Sequence, residues 1–140
     1  MNLANLQQAV FTRLSGFTAL TSQLSGQGVY ARKPQDTESE DASVFPYVTF
    51  TVVTVNPWDT DDTDGAQAIV QVDVWSRSQS RQQVAAILDS IYDALHKYQI
   101  PISGANTVDC LFAGGPIITD DPDGVTTHGV ADFRATYDSF

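Results

Sequence analysis

The sequence predicts an α+β fold, an α/β sandwich. A largely antiparallel or mixed sheet of about four main strands is flanked by two helices, in the order α-β-β-α-β-β. One observation dominates: within residues 67–98 the apolar period changes. From Ala68 to Ser76 the residues alternate, with Val70, Val72 and Val74 on one face and Ile69, Gln71, Asp73 and Trp75 on the other. Beyond Ser80, the residues Val84, Ile87, Leu88, Ile91 and Leu95 recur at three- and four-residue spacing, which is one stripe of a helix. A strand that runs into a helix through a short connection can bury its apolar face under that helix. The second observation is an amino-terminal helical stripe, and the third is a set of extended runs separated by polar turns.

Leu3, Leu6, Val10 and Leu14 mark the first helix, which stops near Ser15-Gly16. Phe17, Leu20 and Leu24 suggest a further turn, and Val29-Tyr30 a brief strand. Residues 31–45 are polar and non-periodic, so they read as an exposed loop. Pro46-Tyr47-Val48 opens a strand that runs to about Val55, with Val48, Phe50 and Val52 on one face. Asn56-Pro57-Trp58 ends it, and the acidic loop from Asp59 to Gly65 joins it to the central strand as an antiparallel pair. Ser78 or Ser80 can cap the central helix, with Gln83 in capping-box position relative to Ser80. Gln99-Ile100-Pro101 breaks the pattern. A third strand covers about Thr107 to Ala113, and Gly114-Gly115-Pro116 interrupts or bulges it before Ile117-Ile118. After the turn at Asp120 to Gly124, the last strand runs from about Thr127 to Tyr137. Phe133, Ala135 and Tyr137 share one face, and His128, Val130, Asp132, Arg134 and Thr136 the other.

The chain of 140 residues is sized for a single domain, 1–140, with one hydrophobic core. Its net charge of −10, from 17 acidic against 7 basic residues, repels the phosphate backbone and anionic membranes. One cysteine makes no internal disulfide, and neither a signal-peptide pattern nor a spanning apolar run is present. A soluble protein made in a cytoplasm is expected.

Candidate chemistry is sparse. An EF-hand register counted from Gly65 places Thr60 first and Gln71 twelfth; counted from Gly124 it places Thr119 first and Val130 twelfth. Both lack the first ligand and the bidentate glutamate, so the acidic loops read as solvated turns. His96 suits the end of a helix, where the dipole stabilises it. Neither His96 nor His128 has zinc-ligand spacing. Cys110 alternates with Val108 and Phe112 and reads as core. No catalytic, cofactor or metal residue is assigned.

The outward strand face is more informative. Ile69 and Trp75 flank Asp73 there, and Arg134 lies on the outward face of the last strand. Either the first helix covers this face as a second layer, or the face is a subunit contact. An Asp73–Arg134 pairing across strands is expected from their orientation. Trp58, Asp61 and Asp62, on the long acidic loop, are placed to reach a neighbour.

Three short runs in this order and spacing, Pro46-Tyr47-Val48, Val72-Asp73-Val74-Trp75 and Asp132-Phe133-Arg134, resemble the tail-completion proteins of long-tailed phages, the tail terminators or tail-to-head joining proteins. The resemblance extends from the amino-terminal helix to Tyr137, and the longer acidic loops depart from it. It implies an α/β virion protein of the tail or neck with neither catalysis nor cofactor. It further implies a homo-oligomer, a hexameric ring, that caps the head-proximal end of the tail tube, stops its polymerisation and docks the head's connector. Its partners would be itself, the tail tube protein and a head-completion protein, with DNA passing through the lumen unread. Another neck or connector protein is the close alternative. A small ligand-binding α+β domain is the remote one, and it would require a pocket with convergent polar groups.

Overall fold

The computed structural model describes residues 3–24, 28–30, 45–57, 64–77, 81–103, 108–120 and 124–139. Helix α1 (Leu3–Gly16) and a single turn α2 (Thr18–Thr21) lead to a short strand β1 (Val29–Tyr30). Strands β2 (Tyr47–Pro57) and β3 (Asp64–Ser76) precede helix α3 (Arg81–Leu95). Then follow β4 (Tyr98–Ile100), β5 (Val108–Asp120) and β6 (Thr127–Ser139). The strands form one sheet in the order β1-β2-β3-β6-β5-β4, antiparallel except for β1 against β2.

Among the described residues the sheet has six strands, the expected four with a short strand at each edge. The brief strand expected at Val29-Tyr30 is one edge, and the other, β4, is too short to carry a period. Val29-Tyr30 pairs with only Val48 and Thr49. Tyr98–Ile100, expected as a break, pairs with Val108–Cys110. The reversal into it is made at Lys97, which adopts φ 60° and donates its backbone N–H to the Cys110 carbonyl at 2.8 Å.

The centre of the sheet follows the alternation. Val70, Val72 and Val74 of β3 are buried, as are Ala131, Phe133, Ala135 and Tyr137 of β6. Above them lie Val84, Ile87, Leu88, Ile91, Ala94 and Leu95 of α3. Burying each large aliphatic side chain contributes about 2 kcal/mol. Helix α3 lies so close to β6 that a Cβ built on Gly129 would sit 2.6 Å from Val84 Cγ1. Its capping serines, 78 and 80, fall outside the described residues. Gln83 instead accepts a hydrogen bond from the buried Ser76 hydroxyl at the end of β3.

Helix α1 buries Leu6, Ala9, Val10 and Leu14 in the same core, while Leu3 is exposed. Phe11 of α1 packs near Phe50, whose register partner is Val72, so α1 lies on the valine face beside α3. Arg13 fastens the two helices. Its Nε donates to the Ala94 carbonyl at 2.7 Å, and its guanidinium lies 3.5 Å from the Tyr98 ring centroid and 4.8 Å from that of Phe17. The sandwich thus has two layers, helices over one face of a sheet. Helix α1 does not cover the other face.

Candidate interaction surface

The register defines what the uncovered face presents. One row across it reads Tyr47, Trp75, His128 and Thr119; the next reads Thr49, Asp73, Val130 and Ile117. Gln71 and Asp132 share the following row, and Thr54, Ile69, Arg134 and Leu111 the one after.

Trp75 is held flat. The His128 ring stacks on it at 3.8 Å and 7°, Tyr47 lies 6.3 Å away on its other strand neighbour, and its Nε1–H donates to Thr49 Oγ1 at 3.2 Å. Tyr47 in turn meets Tyr30 edge-on and packs against Phe45. Tyr47 is fully buried, so in this row Trp75, His128 and Thr119 are the residues that keep exposed surface.

Asp73 accepts the Gln71 amide at 3.0 Å, and its Oδ2 lies 3.5 Å from His128 Nε2. That distance brings the two groups together electrostatically without a hydrogen bond. The expected Asp73–Arg134 pair is absent. Arg134 stands opposite Ile69, four residues along β3 from Asp73, which is about 13 Å at the strand rise. Both residues point outward as expected, but orientation says nothing of register, and the register separates them. Among the described residues Arg134 has no ion-pair partner and is exposed, between Ile69 on one side and Leu111 on the other. Trp58, Asp61 and Asp62 lie outside the described residues.

Sequence reasoning did not single out the apolar side chains on β5. Leu111 is 44% exposed and Ile117 61% exposed on the uncovered face. The register slips at Gly114 and again before Ile117, so the bulge expected at Gly114-Gly115-Pro116 is present. Gly115 sits at φ 86°, and a Cβ there would meet the Val130 carbonyl at 2.9 Å. The irregular period around this bulge hides which face Ile117 joins. Near it, one Asp132 carboxylate oxygen is buried with no hydrogen-bond partner among the described residues.

The remaining candidates are structural. Cys110 is buried, and burial pushes its thiol up to about 12, far from the thiolate a nucleophile needs. His96 lies directly after α3, which ends at Leu95. Its Nδ1 accepts the Phe112 backbone N–H at 2.9 Å and its ring stacks on Tyr92, tying α3 to β5. A groove of about 400 Å³ runs between α1 and β4. Its polar side chains are engaged locally: Asn5 donates to the Ser103 carbonyl, Gln8 to Thr12 and Arg13 to Ala94.

A family model, tail completion protein gp17, matches residues 8–138. The chain belongs to this family. The match spans both the helix layer and every strand of the sheet, in agreement with the resemblance carried by the three short runs. No curated protein matches the sequence. Among solved structures, a chain in the virion of a native gene transfer agent particle superposes with a TM-score of 0.79 at 19% identity, over 99% of this chain and 98% of that one. The gp17 protein of bacteriophage SPP1 superposes with a TM-score of 0.60 at 20% identity, over 95% and 88%. At such identities the likeness is one of fold. For a tail completion protein, the feature to explain is a strand face bearing aromatics, exposed aliphatics and, among the described residues, an arginine with no ion-pair partner.

Proposed function

We propose that this tail completion protein is a structural virion component that forms a ring, a hexamer as the family resemblance implies, at the head-proximal end of a tail tube. There it stops tube growth and offers the surface to which the head's connector docks. The single observation that carries this reading is the family match over residues 8–138. The gene transfer agent neighbour, a chain of a virion, supports the particle setting.

Two physical features fit. A ring requires two different patches on each subunit, and the uncovered sheet face supplies one, centred on Ile69, Asp73, Trp75 and Arg134. A net charge of −10 suits a lumen through which DNA slides without sticking. The partners in this reading are further copies of the chain, the tube protein and a head-completion protein, and no reaction is catalysed.

The test is electron microscopy of particles assembled without this gene. Over-long tails without heads would support the terminator. Tails of normal length beside separate filled heads would replace it with a joining role, and intact infectious particles would reject both.

A further inference from the structure

We infer that the second patch of the ring joint is an apolar pocket on the helix side of the sheet, and that it receives Leu111 of the next copy while Asp89 at its rim pairs with that copy's Arg134. This deepens the ring reading and rests on it.

The pocket has a volume of about 170 Å³ and is lined by Leu88, Tyr92, Phe112, Pro116 and Phe133, with Asp89 beside them. An apolar cavity of about 150 Å³ accepts a benzene-sized group, so this one has room for a single aliphatic side chain. The bulge at Gly114–Pro116 helps to open it by drawing β5 out of regular register beside α3. Tyr92, 41% exposed, packs edge-on to Phe112, and Phe112 packs edge-on to Phe133, which makes a rigid aromatic wall.

The complementary feature lies on the uncovered face. Arg134 and Leu111 are register partners, a cation beside an aliphatic side chain that is 44% exposed. The pocket offers an acid beside an apolar hole. Among the described residues neither Asp89 nor Arg134 has an ion-pair partner, whereas Arg81 is paired with Asp120 at 2.6 Å. In a chain with 17 acids and 7 bases, an arginine set between Ile69 and Leu111 with no ion-pair partner among the described residues is best matched by a carboxylate of another copy. Knob and pocket lie on opposite faces of one sheet. The contact is therefore heterologous and propagates from copy to copy, as a ring needs, instead of closing as a two-fold dimer.

The test mixes full-length Leu111→Cys copies with Tyr92→Cys copies under a short bis-maleimide, Cys110 being buried. A cross-linked heterodimer in the mixture, with no homodimer from either variant alone, is expected. Arg134→Asp and Asp89→Arg should each weaken assembly by about tenfold or more, through like-charge contact. The double reversal should recover assembly, with unchanged thermal melting in all three. A homodimer from Leu111→Cys alone, or single reversals that assemble normally, would overturn the joint. A wild-type multimer without the heterodimer would overturn the joint and leave the ring standing. Wild-type protein with neither multimer nor cross-link would overturn both.

Discussion

Cys110 shows how far one side chain's surroundings determine its chemistry. The thiol is neutral in the fold and held there by burial, so unfolding at high pH releases a proton. A raised thiol value means that its contribution to stability is complete below pH 9 and is lost as pH rises toward about 12. Melting temperature measured against pH should therefore fall more steeply above pH 9 for the wild type than for Cys110→Ala, whatever the shared contribution of Tyr137. A thiol reagent should leave the folded protein unmodified and react fully in denaturant. His96 makes a comparable point. Its Nδ1 accepts the Phe112 N–H, so His96→Ala strands that donor and should lower stability by about 1–2 kcal/mol in a denaturant titration. The sequence located both residues correctly in the chain. It could not reveal that the imidazole works as an acceptor, because its partner is a backbone group sixteen residues away.

At the scale of elements, the contacts between α3, α1 and the sheet are the most sensitive. Gly129→Ala places a methyl group against Val84 and Leu88 and should destabilise by about 1–3 kcal/mol, read as a lower denaturation midpoint. Arg13→Lys retains the charge but loses the planar guanidinium that stacks on Tyr98 and Phe17 while its Nε reaches Ala94. A loss of about 1–2 kcal/mol is expected, and a melt like the wild type's would show that the cation alone suffices. The long elements were legible because β3 and α3 each repeat their period several times, and because the valines and the aliphatic stripe need each other. Of the two edge strands, Val29-Tyr30 reads as a brief strand, but Tyr98–Ile100 does not, since three residues show no alternation. The placement of α1 was also illegible: its apolar stripe says that it packs, but Phe11 against Phe50 decides on which side. The candidate interface was half legible. Alternation put Ile69, Asp73, Trp75 and Arg134 on one face, while the register that splits Asp73 from Arg134 depends on two strands separated by more than fifty residues of chain.

For the whole molecule, the one-sided helix layer sorts the probes of assembly. Trp75 sits between Tyr47 and His128, so Trp75→Ala should cost folding stability, about 2–4 kcal/mol, as well as assembly. Arg134 is exposed and touches no ionic partner among the described residues. Its substitution should alter assembly, followed by sedimentation, while leaving the melt within about 0.5 kcal/mol of wild type. A strand order of β1-β2-β3-β6-β5-β4 places β3 and β6 side by side at the middle, with all thirteen residues of each paired. That pairing has a temporal consequence. The hairpin of β2 and β3 can emerge from a ribosome and find its turn, but its inner edge stays open until residues 127–139 have been made. Until then the valine face lacks Phe133 and Tyr137, and the newly synthesised chain carries an unpaired strand edge of thirteen residues. Its maturation thus waits for the synthesis of β6, when one strand joins the two halves of the sheet at once.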